Sequence, residues 1–462
     1  MATRESPDSD ASGTAGPHGG GDRRGAVEAE SGQPGEAGGL RGSAGQGAGA
    51  GGWRVEQITD RGRLEDLAPA WRELFGASGT TNPFAHPAWL TTWAEHFVEE
   101  GSLRLVAVWE REALVALAPF YREAAGAGPA GFRRLRLVGA GQEPLTELAQ
   151  ILALPSRRRR AVRSIVEDLH GQPRDWDWIE IFVGPEHGWL EPESVPAASG
   201  SMVMSLFTHA CVIVPLPGSW DELRRQLKRN VSESIRRSRN RLERDGHAWS
   251  VRELAEPAQV EAGFTELLAL HRARAALTGR APRRDRLADP RHEAFAREAV
   301  VRMAGEGLAR IHLLDIDGAP AGGLVALHTP ETVFLSLSGY DPRWWEYGVL
   351  NLLTAEVMRA GIRDGAAAIN LSSGPENTKL RWSERIEVHQ LFAIVAGARR
   401  SRMAFGAFQH ARAASQLREG HRVAKAVARE HAATERRLAT RGGGSGEATR
   451  GGPSGEGGRT GT

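Results

Sequence analysis

Residues 369–376 read INLSSGPE, and residues 179–186 read IEIFVGPE. Each is an apolar run of strand length that stops at a Gly-Pro turn. A second pair lies upstream: LVALAPF at 114–120 and LVALHTP at 324–330. The pieces occur in the same order, with spacings that differ by 20 residues. Two matches in order predict two copies of one α/β unit. The alternative is chance likeness among short apolar strands that end in Gly-Pro.

Leu103–Trp109 and Leu114–Tyr121 read as a hairpin, and Ser156–His170 as a helix before the strand Trp176–Val183. In the second half, helices are expected over Trp220–Asp245, Pro257–Leu277 and Glu293–Gly305. Arg310–Ile316 and Gly322–His328 flank Asp317-Gly318, a strong hairpin turn. Strands are expected at Thr332–Leu337, Ala367–Leu371 and Val388–Val395, with a long helix from Trp345 to Asp364. The fold class is α/β with mixed sheets.

Of the chain's 56 glycines, 16 lie in residues 1–52 and 10 in 441–462, so the 388 residues between hold 30. Tails of Gly, Ser, Glu and Arg cannot bury enough apolar surface to offset the entropy of ordering. Residues 1–52 and 441–462 are expected to be disordered. The middle is longer than one core usually serves. Two domains are expected, 53–215 and 216–396, then a basic helical segment at 397–440. Cys211 is the single cysteine. That excludes a disulfide framework, a CxxC redox pair and a Cys-based zinc site, and no metal is expected. No apolar run reaches the ~18 residues of a membrane helix, and no secretory signal is visible. The expectation is a soluble, cytoplasmic protein. The net charge of +2 hides asymmetry: Arg224–Asp245 holds nine basic and three acidic residues, and Arg399–Arg441 holds eleven and three.

In order along the chain come NPFAHPAWLTTWAEHF, the basic KRNVSESIRRSRNRLERDG, LALHRARAALTGR, RIHLLDIDGAPAGGLVALH, FLSLSGYDPRWWEYG and INLSSGPENTKLRW. The ordered set, over about residues 53–396, resembles the GNAT acyltransferases of the CelD/BcsL type, bacterial relatives of the Fem-type peptidyltransferases. The resemblance implies tandem GNAT-like domains, with an acyl-CoA site in the second. Acetyl-CoA or another acyl-CoA would be a co-substrate, and no cofactor would be bound permanently.

In such a fold two parallel strands splay, and the free backbone of one pairs with the pantetheine arm. The next helix points its N-terminus at the pyrophosphate. The resemblance places these functions at Leu337 and Ser338 and at Tyr347, Gly348 and Val349. Only one glycine stands where relatives often carry Ser-Pro-Gly. In relatives the last segment carries Asp, Arg-Gly-Asp, Tyr-Lys and Arg-Trp. Here Gly374, Glu376, Lys379, Arg381 and Trp382 match, while Asn370, Ser373, Pro375 and Thr378 replace the others. Glu376 is a candidate base acting through water, or a solvated turn residue. Asn370, Lys379 and Trp382 are candidates for acceptor binding, with a surface lysine and a core tryptophan as the alternatives. His271 is a candidate base or acceptor contact, or a structural helix residue. Tyr340 is a candidate acid for the departing thiolate.

The implied reaction is acyl transfer to an amine or hydroxyl of a small molecule or cell-surface polysaccharide precursor, by direct attack. One alternative takes aminoacyl-tRNA as donor, motivated by the basic helix. Another is a non-catalytic assembly factor for polysaccharide machinery. No DNA partner is expected. Phe405, Phe408 and Leu417 among arginines suggest a peripheral contact with anionic membrane, or docking on the chain itself.

Overall fold

A computed structural model describes residues 52–126, 131–141, 145–171, 175–184, 200–277 and 285–418. The tails, the basic segment beyond 418, and the Pro185-Glu186 end of the first repeat turn lie outside the described residues, Gly52 apart.

The first half runs β1 (Trp53–Ile58), α1 (Arg63–Ala77), α2 (Pro87–Phe97), β2 (Leu103–Glu110), β3 (Ala113–Ala125), β4 (Phe132–Leu137), a two-residue β5 (Leu152–Ala153), α3 (Arg158–Gly171), β6 (Trp178–Val183) and β7 (Met202–Pro215). Two helices follow, α4 (Trp220–Gln226) and α5 (Arg229–Arg244). Then the order begins again with β8 (Trp249–Leu254), α6 (Pro257–Ala275), α7 (Pro290–Gly305), β9 (Ala309–Ile316), β10 (Ala319–His328) and β11 (Thr332–Tyr340). It ends with α8 (Val349–Arg363), β12 (Ala368–Ser373), the one-turn α9 (Asn377–Leu380) and β13 (Ile386–Val395). Both repeated motifs fall on equivalent strands: β3 with β10, and β6 with β12.

Local chemistry starts the helices. Asp289 caps α7 by accepting from Arg291 N–H with Pro290 behind it, and His86 caps α2 with Pro87. Asp317 and Gly318 both take positive φ, 51° and 78°, and close the β9–β10 hairpin. The single helix expected over Trp220–Asp245 is two: Leu227 turns to extended backbone (ψ 142°) and buries with Leu223 and Val231. The strand β7 is an addition to the expected elements.

The sheet order is β1-β2-β3-β4-β6-β13-β7-β12-β11-β10-β9-β8, with β5 on β3. Only β4–β6 and β11–β12 are parallel. By its place in the repeat, β7 closes the first half, yet it pairs with β12 of the second. Strand β13 closes the second half and pairs with β6 of the first. The two exchanged strands pair with each other from Ile386–Val212 to Val395–Met202. One sheet therefore runs through both halves.

Helices α1, α2, α6 and α7 share one core. Trp89 meets Phe295 at 5.4 Å between ring centroids, and Phe84 meets Phe334 at 5.0 Å. Helix α3 packs in a second core, and α5 with α8 in a third. The C-terminal helix at 399–418 docks on the first half: Phe405 and Phe408 lie against Trp178, and Ser401 donates to Asp177. Those two phenylalanines are thus engaged by the chain itself, while Leu417 is exposed. Among the described residues no helix is long and apolar enough to cross a membrane.

Candidate active site

Strands β11 and β12 are paired at only three positions, Thr332–Ala368, Val333–Ile369 and Phe334–Asn370. Strand β11 continues for six more residues, 335–340, held on its other side by β10. Between Leu335 and Ser338 it gains one residue relative to β10, a bulge that adds twist and turns the strand away. Neither β11 nor β12 carries a charged side chain. The gap between them is therefore lined by backbone and by neutral residues such as Ser336 and Ser338.

The first half repeats the divergence. Strands β4 and β6 pair only at Arg134–Trp178 and Leu135–Ile179. One residue further, Arg136 pairs with Glu180 at 3.1 Å, and Arg134 and Arg136 both reach Glu123. This buried network ties the strands together where backbone pairing has stopped. Burial would raise the Glu123 carboxyl; Arg134 and Arg136 outweigh it and hold the group below its ordinary range. Charge closes the first gap, whereas neither strand that borders the second carries a charged residue of its own.

Around the second gap, four of the expected residues converge. Leu337 is buried and Ser338 half-buried on the diverging part of β11. His271 on α6 places Nδ1 3.2 Å from the Ser338 carbonyl. Nε2 of the same ring lies 3.3 Å from an Asp285 carboxylate oxygen. Helix and strand approach this closely because residue 339 is glycine: a Cβ there would lie 2.3 Å from His271 N. Arg274 donates to the Ser338 hydroxyl at 3.1 Å and covers the Tyr340 ring. Tyr340 is buried and packs on Trp345.

The start of α8 is built differently from a glycine-rich loop. A 3-10 turn, Pro342–Tyr347, leads to Gly348 in the left-handed region, φ 62°. Glycine is required twice over, since a Cβ would also sit 2.8 Å from Ser238 Oγ on α5. The Tyr347 hydroxyl donates to Asp245, so its pKa is raised by desolvation and by that carboxylate. Val349 is buried. Arg381 donates to Asn351 in the first turn of α8, and burial alone lowers its pKa. Among the described residues this guanidinium has no carboxylate partner, and it stands at the positive end of a helix.

At the far end of β12 the residues form a polar cluster. Asn370 is buried and accepts from Ser372 N–H at 2.9 Å. Lys379 donates to the Ser373 carbonyl. Burial lowers the Lys379 ammonium against the pull of Glu147 and Glu376. Burial pushes the Cys211 thiol up to about 12, with Glu147 adding to the effect. Glu376 is exposed and accepts from Thr378. Trp382 is buried in the α5–α8 core. Glu147, which no motif marks, reaches this cluster from the first half and accepts from Ser372 and Ser373.

Residues 229–380 match the family model described as the Acetyltransferase (GNAT) domain. The chain therefore carries a GNAT acetyltransferase domain, running from α5 through α9, and the protein is a transferase. Among solved structures it is similar to FemX, with a TM-score of 0.52 at 9% identity over 74% of this chain and 98% of that one. A tandem GNAT protein from the clavulanic acid biosynthesis pathway covers 75% of this chain and 99% of its own at 12% identity, with a TM-score of 0.37. The C-terminal domain of a putative lysylphosphatidylglycerol synthetase from Agrobacterium fabrum covers 74% and 96% at 14% identity, with a TM-score of 0.45. No curated protein matches the chain.

Proposed function

We propose that the second-half gap binds an acyl-CoA and that the protein transfers its acyl group to an amine or hydroxyl. The observation that carries this is the early end of β11–β12 pairing at Phe334–Asn370. It leaves the backbone of 335–337 available to the amide groups of a pantetheine arm, while the Ser338 carbonyl is taken by His271. The first turn of α8 and Arg381 face the pyrophosphate. The acceptor's nitrogen or oxygen attacks the thioester carbon, the C–S bond breaks, and the thiolate leaves. An N–H on the bulge polarises the carbonyl. Tyr340 supplies a proton to the thiolate, and His271, or Glu376 through water, takes one from the acceptor. Asn370 and Lys379 hold the acceptor, a small molecule or polysaccharide precursor of the kind the CelD/BcsL resemblance implies, while Trp382 packs in the core behind them. The setting is cytoplasmic.

Isothermal titration should detect acetyl-CoA binding that Leu337→Pro abolishes, with circular dichroism checking that the variant folds. No binding of acetyl-CoA, longer acyl-CoAs or free CoA would overturn the proposal.

A second reading takes aminoacyl-tRNA as donor. The groove between α4, α5 and α8, lined by Arg224, Arg236, Arg239 and Arg359 beside Trp220, favours it. Binding of tRNA that weakens steeply with salt, without CoA binding, would select this reading.

A further inference from the structure

Ser372 takes φ 72°, a left-handed conformation that is strained for a residue other than glycine. It sits where β12 leaves β11 and where the β12–β7 register shifts, between Asn370 and Ser373. Something must hold it there. Asn370 accepts from its N–H. The larger contribution comes from Glu147, 225 residues away, whose carboxylate accepts from the Ser372 hydroxyl and from Ser373 N–H at 2.6 Å. Hydrogen bonds to a charged carboxylate are stronger than those between neutral groups.

Glu147 is itself held rigidly. The Trp89 indole N–H donates to the neighbouring Thr146 hydroxyl at 2.8 Å, and Asn82 donates to the Leu148 carbonyl at 2.8 Å. Leu145, Leu148 and Ala149 are buried. At Gly139 a Cβ would lie 2.8 Å from Thr146 Cγ2, so the segment has no room to slide.

We infer that Glu147 is a positioning residue for the second-half gap: the first half, whose own gap is closed by Arg136 and Glu180, fixes the turn at which β12 diverges and so completes the neighbouring site. The inference rests on the gap being the donor site. Glu147 acts through Ser372 and Ser373, and from them on the loop that carries Lys379.

Two measurements test it on the full chain: acetyl-CoA affinity by titration, and hydrogen exchange of residues 371–376 without ligand. Glu147→Ala removes both bonds and should speed exchange there and weaken acetyl-CoA binding about tenfold. Glu147→Gln should restore both, because its carbonyl can accept from Ser373 and its amide donate to Ser372. If Glu147→Ala proves unfolded, Ser372→Ala removes one of the two bonds and should move both readouts in the same direction. Unchanged exchange, or unchanged affinity beside faster exchange, would overturn the inference. If the wild-type protein binds no acyl-CoA the donor proposal itself fails, and the positioning role falls with it even where exchange responds.

Discussion

Three imidazoles are held far from their solution behaviour. Burial pushes His86, His312 and His328 down to about 4 from an ordinary 6.5. The unfolded chain takes up these protons near pH 6.5 and the folded chain only near pH 4. The unfolded state therefore binds more protons throughout that window, and stability must fall as pH drops through it. Each histidine contributes a slope of up to about 1.4 kcal/mol per pH unit. Urea denaturation between pH 7 and pH 5 should show this loss, and His328→Gln should remove about a third of it. A flat profile across that range would contradict the assignment. Residue by residue, the strand that carries Leu337 and Ser338 was legible in local sequence, while the proposed donor roles of Leu337, Ser338 and Gly348 come from the family resemblance. Glu147 was not legible, because its partners are set by the packing of two halves and by no spacing along the chain.

At the scale of elements, the equivalent strand pairs show what distinguishes the two gaps. Both β4–β6 and β11–β12 part early, so parting alone does not define the site. Arg134, Arg136, Glu123 and Glu180 close the first by charge, with Glu180 only 4% exposed. Removing one partner from such a buried network costs about 3–5 kcal/mol. Arg136→Ala should therefore lower the unfolding free energy by roughly that amount, read by chemical denaturation, while acetyl-CoA affinity stays within about twofold. A loss of binding in a folded Arg136→Ala protein would move the donor site to the first half. The repeat pattern made the hairpins and the β6 and β12 strands readable from sequence. Strand β7 was missed although Ala210–Val214 is an apolar run that stops at Pro215, and nothing in its spacing says that it joins the sheet of the second half.

For the whole molecule, the exchange of β7 and β13 decides how the halves depend on each other. Strand patterns encode burial but not which sheet a strand joins, so the proposed boundary at 215/216 cuts a continuous sheet. Residues 53–215 expressed alone would leave β6 without β13, and residues 216–396 would leave β12 without β7. Neither piece should show the cooperative unfolding of the full chain, and mixing them should restore it. Independent two-state unfolding of either piece would contradict this. The same continuity lets a residue of the first half shape a site in the second. The most direct test of the donor site is hydrogen exchange of the full chain with and without acetyl-CoA. Protection is predicted at residues 335–340 and at the start of α8, with 134–137 and 178–183 unchanged. Protection centred on β4 and β6, or none at a concentration that saturates GNAT enzymes, would contradict it.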